Sequence, residues 1–132
     1  MILVDSSAWV EYDRATGSPT DLAVTALIES GGSTIGVTEP VLMEVVAGAR
    51  DDLAAGKLRR LLTSFEWIPV EAVADFEGAA SVYRNCRQAG VTPRGLIDCM
   101  IATIALRTGS EVLTADKDFA AMAQVVPIRI AG

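Results

Sequence analysis

The sequence predicts an α/β fold with three α/β/α layers, in which helices cover both faces of a mainly parallel sheet of about five strands. Short apolar runs alternate along the chain with longer segments whose apolar residues recur at helical spacing. The runs are continuously apolar, which is typical of strands buried on both faces. With 132 residues and no linker or low-complexity stretch, the chain is predicted to form a single domain over residues 1–132.

The boundaries of the predicted elements follow from breaking and capping residues. Gly17-Ser18-Pro19 separates the first two helices, Gly31-Gly32 ends the second, and Thr38 caps the third. Gly90 and Gly109 end the two long helices. The predicted strands cover residues 1–4, 34–37, 66–70, 111–114 and 125–128. The predicted helices cover residues 8–13, 21–29, 39–49, 51–64, 72–89, 94–108 and 117–123.

Histidine is absent from the chain. This excludes Ser-His-Asp and Cys-His nucleophilic sites, histidine acid–base chemistry and the usual zinc sites. The two cysteines, Cys86 and Cys99, have no metal-binding spacing and are predicted to be reduced core residues. An enzyme with this composition must therefore work with carboxylates, lysine, hydroxyls or a bound metal ion.

Acidic residues outnumber basic ones, so that the formal net charge is −6 and the pI is about 4.5. A protein that bound nucleic acid through its overall field would be basic, so simple binding is disfavoured. The charge is compatible with a nuclease whose carboxylates hold metal ions. The chain has neither a membrane-spanning run nor a signal-peptide pattern, so the cytoplasm is the expected location.

Two aspartates follow predicted strands, at the sheet edge where ligands bind in open parallel sheets. Asp5 comes directly after Ile2-Leu3-Val4, and Asp116 comes just after Val112-Leu113-Thr114. The structural alternative is that each aspartate caps the following helix, because aspartate is a favoured N-cap residue. The sequence leaves both interpretations open.

Asp98 and Glu44 both lie on predicted helices, but the helical pattern places Asp98 beside the apolar face and Glu44 on the solvent face. Asp98 projects at the edge of an apolar stripe, where burying an unpaired carboxylate is expensive. It needs either a metal ion or a salt bridge, for which Arg94, one turn earlier, is the candidate. Glu44 faces away from the apolar side of its helix, so periodicity alone predicts an ordinary solvent-exposed residue.

Carboxylates that are brought together repel one another, so they either take up protons or bind a cation. Ligand sets made only of oxygen suit hard ions such as Mg²⁺ or Mn²⁺ better than zinc. Magnesium bound by carboxylates serves phosphate chemistry. The acids of this chain therefore favour a metal-dependent phosphoryl-transfer enzyme.

Four segments resemble the motifs of VapC-type PIN domains, the toxins of toxin–antitoxin pairs. "MILVDSSAWVEY" is similar to that family's first strand and helix, "TEPVLMEVVAG" to its second acidic motif, "GLIDCMIATIAL" to its third and "VLTADKDF" to its last. By this resemblance, the family's four catalytic acids are Asp5, Glu44, Asp98 and Asp116. The motifs occur in the family's order and cover essentially the whole chain.

The resemblance implies an endoribonuclease that requires Mg²⁺ or Mn²⁺ and hydrolyses phosphodiester bonds of structured RNA, transfer or ribosomal, by metal-activated water. It assigns Asp5, Asp98 and Asp116 as metal ligands. It also makes Glu44 part of the site, where this residue would hold a second ion or orient the attacking water, although periodicity alone does not.

Further residues receive supporting roles from the same resemblance. Thr114 matches the family's hydroxyl residue, and Ser7 and Asp118 lie beside the acids in sequence. Basic residues must guide the RNA despite the overall acidity, and the candidates are Arg94 and the Lys57-Arg59-Arg60 cluster. The family also implies a homodimer and a cognate VapB-type antitoxin, whose segment blocks the acidic groove in a heterotetramer or larger assembly.

Two alternatives remain. A receiver-type phosphoacceptor domain also gathers acids around Mg²⁺, but it usually has a paired acid after the first strand and a lysine after a late one. Here Ser6-Ser7 follows Asp5, and Lys117 comes after Asp116 at the start of a helix. The other alternative is a non-catalytic PIN scaffold that binds only RNA or protein, against which the four intact acids count.

Overall fold

The computed structural model describes the whole chain, residues 1–132, as five strands and seven helices. The elements follow in the order β1 (Ile2–Val4), α1 (Ser6–Asp13), α2 (Pro19–Glu29), β2 (Ile35–Val37), α3 (Glu39–Ala47), α4 (Asp52–Leu62), β3 (Glu66–Trp67), α5 (Ala74–Gln88), α6 (Leu96–Thr108), β4 (Glu111–Leu113), α7 (Lys117–Met122) and β5 (Arg129–Ile130). None of the seven helices combines the length and the apolar character that a membrane span requires.

The five strands form one sheet in the order β3-β2-β1-β4-β5, and every neighbouring pair is parallel. Leu3 of β1 lies opposite Gly36 of β2 on one side and Val112 of β4 on the other. The chain crosses the sheet in one direction from β1 to β3 and in the other from β3 to β5. Since such crossovers are right-handed, α1–α4 cover one face and α5–α7 the other. The predicted three-layer α/β fold is therefore confirmed.

The direction of winding changes between β1 and β4, and this change creates a crevice at the carboxyl ends of the two strands. The strands themselves are buried on both faces, as their continuous apolar runs predict: Leu3, Val4 and Val112 are fully buried and Leu113 is almost so. Asp5 follows β1 and Thr114 follows β4, so both residues reach this crevice.

Helices α5 and α6 pack closely, and this packing fixes the helix that carries Asp98. A Cβ atom on Gly78 would lie 2.5 Å from Cγ2 of Thr103, so only glycine permits this approach. Asp75 of α5 is buried and accepts hydrogen bonds from Arg107 of α6 at 2.9 and 2.8 Å. Burial acts to raise the pKa of Asp75, but the hydrogen bonds and charge of Arg107 outweigh it and the pKa is lowered.

Several predicted boundaries differ from the structure by a few residues, and two of these differences bear on the sheet and the site. The last strand, predicted over residues 125–128, lies instead at Arg129–Ile130. Pro127 has no N–H for a strand ladder, and the Ile128 N–H donates to the Val126 carbonyl, which turns the chain. The helix predicted from Arg94 begins at Leu96, because Gly95 is extended and precedes the first turn. Arg94 is therefore not on the helix of Asp98.

Candidate metal centre

Asp5 stands at the carboxyl end of β1 and is buried, with 2% of its surface exposed. Its Oδ2 atom accepts hydrogen bonds from the hydroxyls of Ser7 at 2.7 Å and Thr114 at 2.9 Å. Asp5 occupies the N-cap position of α1, but its side chain makes no capping hydrogen bond. The capping interpretation is therefore wrong for Asp5, whose carboxylate instead ties the end of β1 to the end of β4.

The surroundings of Asp5 act on its charge in opposite directions. Burial raises the pKa of Asp5, and the hydrogen bonds from the Ser7 and Thr114 hydroxyls offset part of that increase. Ser7 and Thr114 also lie within hydrogen-bonding distance of each other, 3.1 Å apart. Two of the three residues predicted to have supporting roles thus position the most deeply buried acid of the site.

Asp5, Glu44 and Asp98 come together although they are far apart in sequence. Each offers a carboxylate oxygen, and these oxygens lie within 4.8 Å of one another. We call these three residues the first acid group. Glu44 is exposed on α3, as periodicity predicts, yet it belongs to the cluster, as the family resemblance implies. The Ser6 hydroxyl donates to Glu44 Oε1 at 2.6 Å, which orients this exposed side chain.

Asp98 is half-buried in the first turn of α6 and has no salt-bridge partner. Burial raises its pKa to about 7, together with the negative charges of Asp5, Asp116, Glu44 and Asp118. The salt bridge with Arg94 that the sequence left open is absent, because Arg94 pairs with two other acids. An uncompensated carboxylate among other carboxylates is the electrostatic state that a bound cation relieves.

A second acid group consists of Asp98, Asp116 and Asp118, whose carboxylate oxygens also lie within 4.8 Å of one another. The Asp116 side chain accepts the N–H of Asp118 at 2.9 Å, so the capping interpretation is correct for Asp116. Arg94 donates from its guanidinium to Asp116 at 2.9 Å and to Asp118 at 3.1 Å. The two acid groups share Asp98. Only the second group is paired with a positively charged side chain, that of Arg94.

The first acid group fits a divalent metal ion. Its donors are all carboxylate oxygens, which suit Mg²⁺ or Mn²⁺, and its charge is not balanced by any arginine or lysine. The predicted ligand set was Asp5, Asp98 and Asp116. The geometry groups Glu44 rather than Asp116 with Asp5 and Asp98, and the part of Asp116 in metal binding stays a prediction.

The remaining basic candidates lie apart from the acids. Lys57, Arg59 and Arg60 are exposed on α4 and form no ion pair with a cluster acid. Lys57 borders a groove of about 560 Å³ between α1, the end of α3 and α4. The groove has apolar walls that include Val45, Leu53 and Leu58.

Sequence reasoning missed this groove, which we call the α1–α4 groove. Trp9 lines it with only 1% of its surface exposed, and its indole N–H is the one buried side-chain donor or acceptor without a hydrogen-bond partner. Leu53, on the opposite wall, is 68% exposed. The only sequence feature that could have indicated such a surface is Leu53, a large apolar residue on the polar side of the amphipathic helix α4.

Comparisons with known proteins agree with this geometry. The model of the PIN domain family matches residues 2–125. The chain is 40% identical over 131 residues to VapC ribonuclease Mb1587 from Mycobacterium bovis and to Ribonuclease VapC11 from Mycobacterium tuberculosis. Each alignment covers 99% of this chain and 98% of the relative.

Solved structures share the fold. VapBC2 from Rickettsia felis, bound to a DNA fragment from its promoter, matches with a TM-score of 0.75 and 17% identity over 99% of this chain and 98% of that chain. VapC20 from Mycobacterium tuberculosis, a sarcin-ricin loop cleaving toxin, matches with a TM-score of 0.70 and 24% identity over 98% and 99%. The receiver-type alternative is therefore wrong, and the chain belongs to the PIN-domain family, in the group of VapC ribonucleases.

Proposed function

We propose that this chain is an endoribonuclease toxin that hydrolyses phosphodiester bonds of structured RNA, transfer or ribosomal, with Mg²⁺ or Mn²⁺ held by its acid cluster. The observation that carries the proposal is the first acid group, in which Asp5, Glu44 and Asp98 converge without a counter-charge. The full-length relatives that are named ribonucleases support it.

In the proposed mechanism Asp5, Glu44 and Asp98 would hold the ion. When bound, a divalent ion lowers the pKa of water and stabilises negative charge on a phosphate. Ser7 and Thr114 fix the Asp5 carboxylate through their hydrogen bonds. A water oxygen adds to the scissile phosphorus while the P–O3′ bond breaks and the 3′ oxygen gains a proton. The products are a 5′-phosphate and a 3′-hydroxyl.

Two further side chains act on the substrate side of the cluster. Glu44 is exposed and oriented by Ser6, so it can accept a hydrogen bond from the water that approaches from solvent. The Arg94 side chain is 75% exposed beside Asp116, where it can also meet a backbone phosphate of the RNA. No other basic residue forms an ion pair with an acid of the two groups, so we assign the local attraction for RNA to Arg94.

The proposed protein partner is a VapB-type antitoxin. Solved structures with this fold include VapBC2 from Rickettsia felis and a toxin–antitoxin complex from Klebsiella pneumoniae. A basic side chain of such a partner would pair with the acid cluster and compete with the metal ion. The α1–α4 groove offers a surface with apolar residues, such as Leu53 and Leu58, on which a segment of such a partner could pack. We propose a homodimer that assembles with its antitoxin in the cytoplasm.

The test is a cleavage assay with the purified chain and labelled transfer and ribosomal RNA. We expect cleavage with Mg²⁺ or Mn²⁺, none with EDTA, and 5′-phosphate ends at the cut sites. The Asp98→Asn protein is the control for a contaminating nuclease. Undiminished cleavage in EDTA would refute the metal mechanism, and specific RNA binding without any cleavage would support the non-catalytic scaffold.

A further inference from the structure

Arg94 lies inside the acid cluster, held there by three hydrogen bonds. Its Nη2 donates to Asp116 at 2.9 Å, its Nε donates to Asp118 at 3.1 Å, and its backbone N–H donates to the same Asp118 oxygen at 3.1 Å. The side chain is nevertheless 75% exposed, so these contacts and not burial keep it in place. Arg94 is the only arginine or lysine that forms an ion pair with an acid of either group.

The two acid groups have the layout of a two-ion site. Two-metal phosphodiesterases hold their ions about 3.5–4 Å apart, and one carboxylate can contact both. Here the first and second acid groups are adjacent and share Asp98. In the second group, one oxygen of Asp116 accepts both Asp118 N–H and Arg94, and one oxygen of Asp118 accepts Arg94 twice. Arg94 therefore already occupies one oxygen of each of these two carboxylates and places a positive charge between them, where a second ion would otherwise bind.

We propose that Arg94 is a built-in counter-cation that occupies the second acid group, so that each chain binds a single divalent ion, at Asp5, Glu44 and Asp98. This inference rests on the proposed function, because it assumes that the first group takes a metal ion. Arg94 is a positioning residue in this role: its charge sets how many ions the carboxylates hold and which of the two groups holds them.

The chemistry of the guanidinium supports this assignment over that of an ordinary surface ion pair. A planar guanidinium can donate to two carboxylates at once, as Arg94 does to Asp116 and Asp118. The extended Gly95 keeps Arg94 off α6, which brings its backbone N–H to Asp118 as well. A solvated pair would need neither the second acid nor the backbone contact.

The test counts Mn²⁺ ions bound per chain in the full-length protein, from the electron paramagnetic resonance signal of free Mn²⁺ during a titration. We expect one ion for the wild type and two for Arg94→Gln. Arg94→Lys keeps the positive charge and should bind one ion. Arg87→Gln removes the same charge from the exposed end of α5 and should also bind one, which controls for net charge. Arg94→Gln combined with Asp118→Asn should return the count to one.

The outcomes separate this inference from the proposed function. Two ions in the wild type, or one in Arg94→Gln, would overturn the role of Arg94 while leaving a metal-dependent site. A second ion in Arg87→Gln or in Arg94→Lys would equally overturn it, since the effect would then not depend on the charge at residue 94. No bound ion in the wild type, together with no cleavage, would refute the proposed function itself.

Discussion

The guanidinium of Arg94 lies 2.9 Å from the carboxylate of Asp116, twenty-two positions further along the chain. In sequence Arg94 is one turn before Asp98, and a continuous helix would have paired these two residues. Because α6 begins only at Leu96, that pairing does not form. Asp98 consequently keeps a charge without a partner, and this charge is what makes a metal site physically reasonable.

Replacing Asp98 by asparagine keeps the shape of the side chain but removes its charge. We expect RNA cleavage to fall at least about a hundredfold, which corresponds to roughly 2.7 kcal/mol of transition-state stabilisation. The measurement is the single-turnover cleavage rate at saturating Mg²⁺, with the fold checked by circular dichroism. Arg94→Ala should retain more activity than Asp98→Asn. Equal and mild losses in the two variants would mean that Asp98 has no special role.

Asp98 should also make the metal-free protein less stable as the pH rises. Its folded-state pKa of about 7 lies above the unfolded value of about 3.9, so the folded state holds more protons between these limits. Its stabilising contribution is present at low pH and is lost as the pH rises towards 7. The pKa difference equals at most about 4 kcal/mol, which solvent screening at this half-exposed group reduces to on the order of 1–2 kcal/mol.

The measurement for this pH effect is thermal unfolding in EDTA from pH 5 to pH 8. Relative to Asp98→Asn, the wild type should lose stability over this range, because only the wild type has the titrating carboxylate. Mn²⁺ added in excess of the EDTA should reverse the loss of stability of the wild type relative to Asp98→Asn. Parallel stability curves for the two proteins would show that neither burial nor the neighbouring carboxylates raise the pKa of Asp98 in the folded state.

Glu44→Gln tests whether an exposed residue belongs to the catalytic cluster. Exposed substitutions of this kind change stability by no more than about 0.5 kcal/mol, and relief of repulsion should place the melting temperature at or slightly above the wild-type value. Cleavage should fall at least about tenfold, or roughly 1.4 kcal/mol. Glu39→Gln is the matched control on the same helix, since glutamine can still accept the hydrogen bond from Val70 N–H. A wild-type rate for Glu44→Gln would reduce the site to its aspartates.

Thr114→Val tests the hydroxyl that holds Asp5. The substitution keeps the side-chain shape and removes a hydrogen bond that lowers the pKa of Asp5, so this pKa should rise further. We expect Mn²⁺ affinity to fall about tenfold or more, as for other residues that orient metal ligands. Thr63→Val is the control, because that hydroxyl bonds only to backbone carbonyls of its own helix. Unchanged affinity in Thr114→Val would show that Asp5 needs no such support.

Leu53→Glu tests the α1–α4 groove as an antitoxin surface. A charge on this exposed wall should weaken antitoxin binding at least about tenfold, while RNA cleavage by the free protein stays unchanged. Leu22→Glu, at a similarly exposed leucine of α2 that does not line the groove, is the control. Binding can be followed by isothermal titration calorimetry. Equal antitoxin affinities of the two variants would place the partner elsewhere.

The sequence by itself determined the layers and the order of the elements, and it predicted which acids gather at the sheet edge. Continuous apolar runs identified buried strands, and Gly90 and Gly109 identified the ends of long helices. It failed at the last strand because Val126 and Ile128 are buried by packing, and apolar alternation does not distinguish packing from strand pairing. Periodicity also described Glu44 correctly as exposed, and only the family motif added that it belongs to the cluster.

Only the tertiary structure decided which charges meet. The Asp5 carboxylate accepts the Thr114 hydroxyl instead of capping its own helix, and Thr114 reaches it because β1 and β4 are neighbours in the sheet. The extended backbone at Gly95 turned Arg94 from a partner of Asp98 into a partner of Asp116. Spacing along a chain fixes neighbours within one helix or strand. Contacts between elements depend on how those elements pack, and electrostatic interactions follow those distances.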